Sequence, residues 1–211
     1  MNGGAIRDKI PSGKVTKKDI YMVLPFGNTM NIVFVTGEEL LEAMEAATFC
    51  TPDPIGGYPQ TKGMEFTIDL DKEYDEGETY PNSTYHRPKS IRRVNIESIN
   101  GKPFDKDAEY AVCTGNFTAS GGDTYYVFSR KNQVESGAGL DGILTDYIIK
   151  ELGGVLREED YGSVRGDRKY LEDQETAPVS DGYMVVRGDH LSKIAKKELG
   201  DGRHAKILSQ S

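Results

Sequence analysis

A chain of 211 residues has room for one medium domain with a small appendage, long enough to bury a core of its own. Charged residues make up 28%, and no apolar run approaches the ~20 residues that span a bilayer, so the sequence holds no candidate transmembrane segment. Twenty-six basic residues against 34 acidic ones leave a net charge of −8, which argues against a nucleic acid polymer as the main partner, because phosphate backbones call for a basic surface.

The chain begins Met1-Asn2-Gly3-Gly4-Ala5-Ile6-Arg7, without the basic and apolar stretches of a secretory leader. Two readings stay open at this point: a cytoplasmic protein, or an excised piece of a longer one. Residues 14–35 read as strand, turn, strand, broken at Pro25-Phe26-Gly27-Asn28. Asn31–Val35 is apolar and β-branched, as a buried strand should be. Thr36 is a candidate N-cap, Glu38 and Glu39 suit a first helical turn, and Leu40, Leu41, Met44 and Ala47 carry the helix to about Phe49. Pro and Gly make residues 51–63 a loop, and Met64–Leu70 alternates like a half-buried strand.

Residues 71–90 are polar and acidic and read as an exposed, mobile loop. A hairpin-like stretch follows: Ile91–Ile99, the turn dipeptide Asn100-Gly101, and Glu109–Thr114. Gly115–Asp123 is a glycine-rich loop, and Leu140, Ile143, Leu144, Tyr147, Ile148 and Leu152 lie on one helical face that ends near Gly153-Gly154. Strands mixed with two main helices, in no strict alternation, predict an α+β domain built on a mixed β-sheet. Residues 171–182 hold four acids and no base and read as a linker; residues 183–211 hold six bases and three acids and read as a short βα tail.

The sequence contains no self-contained catalytic centre or metal site. His86, His190 and His204 stand apart from one another, and there is no His-Glu-x-x-His, Cys-x-x-Cys or Gly-x-Ser-x-Gly. Cys50 and Cys113 allow one disulfide, but two free buried thiols are the simpler reading. A binding role is therefore favoured. Phe26 stands in Pro-Phe-Gly-Asn and Phe117 in Asn-Phe-Thr-Ala-Ser-Gly-Gly-Asp, rings with little core to join from such turns. Facing each other, they would sandwich a flat base, at roughly 1–3 kcal/mol per stacked base; the alternative is that each plugs its own loop into the core. Asp123 suits vicinal hydroxyls and Arg7 a phosphate, against the plainer readings of a polar turn and a solvated arginine.

Four segments, in this order, resemble one family: Asn2-Gly3-Gly4-Ala5-Ile6-Arg7, Leu24-Pro25-Phe26-Gly27-Asn28, Thr36-Gly37-Glu38-Glu39-Leu40 and Asn116-Phe117-Thr118-Ala119-Ser120-Gly121-Gly122-Asp123. They look like the C-terminal, substrate-binding domain of 5′-nucleotidases, a family that extends to UDP-sugar hydrolases and 2′,3′-cyclic-nucleotide phosphodiesterases. The resemblance covers about residues 1–170. It implies that Phe26 and Phe117 stack on the base of a nucleotide or nucleoside, and that Asn28 meets the base edge. It implies further that Asp123 meets the ribose hydroxyls, that Asn2 and Arg7 lie on the ribose and phosphate side, and that the Gly56 loop lies against the base.

The same resemblance implies a partner within the same polypeptide, an N-terminal metallophosphoesterase domain with two divalent metal ions that performs the hydrolysis. This chain would then be inactive alone and cut from an extracellular, periplasmic or cell-wall enzyme. The family often has a Gly where Ala5 stands, and another where Thr124 follows Asp123; Tyr125 and Tyr126 come next, a departure that bears on the ribose side. The tail segment Tyr183–Ala195, with Leu199-Gly200-Asp201, resembles the start of a LysM module. That makes peptidoglycan a candidate partner, and the alternative function is a cell-wall glycan-binding module carried on a non-catalytic scaffold.

Overall fold

The computed structural model describes residues 1–162 and 168–171. Most of the expected linker and the whole LysM-like tail, residues 172–211, lie outside the described residues.

The first helix corrects the sequence reading. Residues 17–23 form helix α1 (Lys17–Val23), where a strand was expected. Thr16 and Asp19 cap it reciprocally: the Thr16 amide donates to Asp19 Oδ2 at 2.7 Å and the Asp19 amide to Thr16 Oγ1 at 3.4 Å. Ile20 and Val23, three apart, supply a buried stripe that a period of two would have split.

Strand β1 (Thr29–Thr36) is the centre of a three-stranded antiparallel sheet, between β7 (Glu109–Gly115) and β8 (Gln133–Gly139). Ile32 pairs with Cys113 on one side and Val134 on the other. Val33 and Val35 point into the core. Helix α2 (Gly37–Ala47) follows at once, capped by Thr36 and Glu39 as its sequence predicts. Gly37 is required there: a Cβ would lie 2.4 Å from the Asp105 carbonyl oxygen.

A second sheet contains β2 (Met64–Asp69), β5 (Val94–Ile99), β6 (Lys102–Pro103) and β9 (Arg168–Leu171), in the order β6-β5-β2-β9. Here β2 runs antiparallel to β5 and parallel to β9. Asn100 and Gly101, both at positive φ (50° and 74°), make the tight turn from β5 to β6. One continuous core joins Val33 and Val35 of β1, Leu40 and Met44 of α2, Phe66 and Ile68 of β2, Val94 and Ile96 of β5, and Phe128.

A buried carboxylate and a buried guanidinium lock the end of α2. Glu45 accepts from the backbone amides of Arg92, Arg93 and Val94 at 2.8–3.2 Å. Arg93 donates to the carbonyls of Thr48, Phe49 and Thr51 at 2.6–2.7 Å, which satisfies oxygens left over at the helix end.

Residues 71–90 are not a featureless loop. They carry the hairpin β3 (Glu76–Thr79) and β4 (His86–Pro88). Tyrosines hold it: Tyr80 is buried and donates to Glu42 Oε1 at 3.1 Å, Tyr74 donates to the His86 carbonyl at 2.7 Å, and Phe49 packs between Tyr74 and Tyr85. His86 is half-buried, with a ring nitrogen 3.1 Å from the Gly77 carbonyl oxygen and 3.4 Å from Glu76. Cys50 and Cys113 are free thiols, but neither is buried: Cys50 is half-buried and Cys113 is exposed on β7.

Strand β8 has no forerunner in the sequence reading. It is exposed and rich in Gly and Ser, and it is recruited by the free edge of β1. Helix α4 (Leu140–Asp146) continues as a wider π turn over Tyr147–Glu151 and ends at Gly153-Gly154, both at positive φ, as expected. Its apolar face is only half-covered, for none of its residues is fully buried among the described residues.

Candidate functional site

Two exposed phenylalanines stand on turns whose backbones are tied together. Phe26 follows α1 on a bend closed by Gly27 at φ 63°, and its ring is 59% exposed. Phe117 sits on α3 (Asn116–Ala119), 43% exposed, where β7 ends. The sequence alternative of rings plugged into the core does not hold for either. Asn116 Oδ1 accepts from the Thr29 amide at 3.2 Å and so joins the Phe117 turn to the start of β1, three residues after Phe26. The tip of the Phe117 ring rests on Gly122: a Cβ there would lie 2.5 Å from it, so a larger residue would push the ring aside.

Asn28 follows Phe26. Its carbonyl accepts from the Leu140 amide at 2.8 Å, which anchors the turn to α4. Ala5, Leu24, Phe26, Asn28 and Leu140 surround a slight depression with essentially no room for a water-sized group. Arg7 reaches the same turn from the N-terminal segment. Its amide donates to the Val23 carbonyl at 2.9 Å, and its guanidinium carbon lies 5.7 Å from the centre of the Phe26 ring, in cation–π range.

Asn2 is buried at the root of the site. It donates from Nδ2 to Asp123 Oδ2 at 2.8 Å and accepts a long 3.5 Å contact from Thr118 Oγ1. Asp123 takes the left-handed backbone region (φ 52°), which Asp tolerates better than most residues. Among the described residues Asn2 alone donates to its carboxylate.

The Gly56 loop closes the arrangement. The amide of Gly4 donates to the Gly56 carbonyl at 2.7 Å and that of Gly3 to the Tyr58 carbonyl at 2.8 Å. A Cβ on Gly4 would lie 3.1 Å from Gly56 O, so the glycine pair Gly3-Gly4 serves close backbone approach. Of the seven predicted residues, Asn2 meets Asp123 and Arg7 meets Phe26 directly, whereas Asn28, Gly56 and Phe117 are joined to them only through neighbours such as Leu140, Gly4 and Asn116.

Three supporting residues were named in the sequence without the role they take: Asn116 and Thr118 within the Phe117 motif, and Tyr125 as a change on the ribose side. Asn116 was legible only as the neighbour of Phe117. Tyr125 is buried, and its hydroxyl donates to the Gly57 carbonyl at 2.8 Å. Burial first, then the nearby Asp123 carboxylate and Tyr58, push this hydroxyl well above the ordinary tyrosine range, so it remains a donor. Thr124, which the sequence marked as a change on the ribose side, is 1% exposed and turned into the protein. Tyr126 stacks on Tyr80 at 5.1 Å.

A second concavity, of about 500 Å³, lies on the far side of the same loop, between Pro52, Pro54, Ile55, Tyr58, Leu70 and Tyr170. It shares none of the seven residues. Among the described residues no group of three or more His, Cys, Asp or Glu side chains is placed to hold a metal ion. The described residues therefore do not fit a metal centre. No helix among the described residues is long and apolar enough to cross a membrane.

Comparison with known proteins fits this geometry. Residues 1–130 match the family model described as 5′-nucleotidase, C-terminal domain. The chain is 32% identical over 166 residues to the trifunctional nucleotide phosphoesterase protein YfkN of Bacillus subtilis, covering 78% of this chain and 10% of that protein. It is 30% identical over 151 residues to protein UshA of Escherichia coli, covering 71% and 24%. Among solved structures, a 5′-nucleotidase precursor from Thermus thermophilus superposes with a TM-score of 0.62 at 30% identity, covering 82% of this chain and 31% of that one. The chain thus spans from a tenth to about a quarter of these two curated relatives. On its matched residues and its fold, the chain belongs to the 5′-nucleotidase C-terminal domain family.

Proposed function

We propose that this chain is the nucleotide-recognition part of a 5′-nucleotidase-type phosphoric ester hydrolase. The base stacks between Phe26 and Phe117, Asn28 reads the base edge and the backbone at Gly56 lies against the base. Asp123 accepts from the ribose hydroxyls, with Asn2 holding it, and Arg7 faces the phosphate. The observation that carries this reading is the pair of exposed phenylalanines on turns bound together through Asn116 and Thr29. Exposing two such rings has an unfavourable hydration term of about 25 cal/mol per Å² of apolar surface, which a stacked ligand removes.

In this reading the chain binds and orients, and it is inactive alone. Hydrolysis to nucleoside and phosphate belongs to a metal-bearing part of the polypeptide outside these residues, in a protein that works outside the cytoplasm. The test is a calorimetric or NMR titration of the 211-residue chain with adenosine and AMP. Saturable binding that Phe26→Ala and Phe117→Ala each weaken supports the reading. A flat titration to millimolar ligand, or phosphatase activity of the purified chain with added divalent metal, contradicts it.

A further inference from the structure

Tyr125 touches none of the seven site residues through its hydroxyl, yet its position governs two of them. We propose that Tyr125 is a positioning residue for ribose recognition, acting through the Gly57 carbonyl on Asp123 and Asn2. This rests on the reading of Asp123 as the ribose acceptor.

The geometry is specific. The Tyr125 hydroxyl holds the Gly57 carbonyl at 2.8 Å from inside the core, where the ring is 4% exposed and packs on Phe128 with centres 5.5 Å apart. Gly57 in turn lies directly under Asp123: a Cβ on Gly57 would be 3.2 Å from Asp123 Cβ and 3.5 Å from Thr124 Oγ1. Nothing but backbone fits between them, so a displacement of Gly57 is passed to the carboxylate. On either side of Gly57, the carbonyls of Gly56 and Tyr58 hold the amides of Gly4 and Gly3. The segment that carries Asn2 is therefore registered on the same loop, and Asn2 is the side chain that donates to Asp123. One buried hydroxyl thus fixes the floor on which both members of the Asn2–Asp123 pair stand. Preorganised polar groups bind more tightly because less ordering remains to be done on binding.

Tyr125→Phe removes a single oxygen and keeps the ring in its packing. The test compares adenosine with 2′,3′-dideoxyadenosine, which keeps the base but lacks the hydroxyls that Asp123 would accept. Dissociation constants of both are measured for the wild-type chain, for Tyr125→Phe and for Gly57→Ala, which pushes on Asp123 from below. The expected result is a loss of about 5–20-fold for adenosine in each variant and a clearly smaller loss for dideoxyadenosine, since the stacking rings Phe26 and Phe117 are untouched and only the Gly56 backbone contact with the base shifts with the loop. Equal losses for both ligands would show a general structural effect and overturn the proposal, as would no loss for either. If the wild-type chain itself does not prefer adenosine over the dideoxy analogue, the assignment of Asp123 to the ribose fails first. That outcome is visible before any variant is made and removes the basis of the inference with it.

Discussion

Glu45 and Asp123 are both carboxylates held against backbone, yet they sit in opposite surroundings. Glu45 is fully buried, and both its oxygens are filled by amides from the turn that leads into β5. Asp123 is half-buried, accepts from the Asn2 side chain and takes a strained left-handed backbone. The same contrast runs through the phenylalanines: Phe66 and Phe128 are almost wholly buried, while Phe26 and Phe117 are left at the surface on tethered turns. The difference separates a satisfied scaffold from a site. Where a carboxylate is filled by amides and rings are covered, the residues serve stability; where a carboxylate keeps capacity and rings stay exposed, they are available to a ligand.

Glu45→Ala should break this contrast most severely. It leaves buried amides of the β5 turn without an acceptor and should destabilise the chain by about 3–5 kcal/mol. Unfolding followed by circular dichroism should show Tm lower by at least about 6 °C. Phe26→Ala and Phe117→Ala should do the reverse, costing about 1–3 kcal/mol in nucleoside binding by calorimetry while leaving Tm within about 2 °C of wild type. Asp123→Ala should cost about tenfold in adenosine affinity, roughly 1.4 kcal/mol, with little change for a ligand without ribose hydroxyls.

The smallest effect should appear at the cap of α2. Burial works to raise the Glu39 carboxyl, but Lys131 and Thr36 outweigh it and hold it below the usual range. A carboxyl lowered by folding contributes stability that is present above its unfolded value and is lost as pH falls through the folded one. Both partners are a quarter exposed, so the contribution should stay below about 1 kcal/mol. Urea unfolding of Lys131→Met against wild type should show a deficit at pH 7 that narrows below about pH 4. A constant deficit at both pH values would mean that packing, not charge, is what Lys131 supplies.

The elements legible in the sequence were those whose apolar residues keep a clear period. Asn31–Val35, the Thr36-capped helix and Met64–Leu70 were read within two residues of their true bounds, whereas the strand before Asn100-Gly101 begins at Val94 rather than Ile91 and its expected hairpin partner, Glu109–Thr114, pairs with β1 instead. The errors have separate causes. Helix α1 carries only two buried residues in seven, and its cap uses Asp where the usual pattern has Glu or Gln. The β3–β4 hairpin is held by tyrosines that a polar, acidic context hides. Strand β8 exists because β1 has an edge to pair, a tertiary reason that local composition cannot carry. At the site, side chains with strong motifs were legible, whereas Tyr125 was legible only as a change on the ribose side and its bond was not, because its partner is a backbone carbonyl from a loop 68 residues away in sequence.

Intermolecular nuclear Overhauser effects between adenosine and the chain test the central claim most directly. The account predicts contacts from the adenine protons to the rings of both Phe26 and Phe117 in one saturable complex. Contacts to neither ring, or to Tyr58 and Tyr170 across the loop instead, would contradict it.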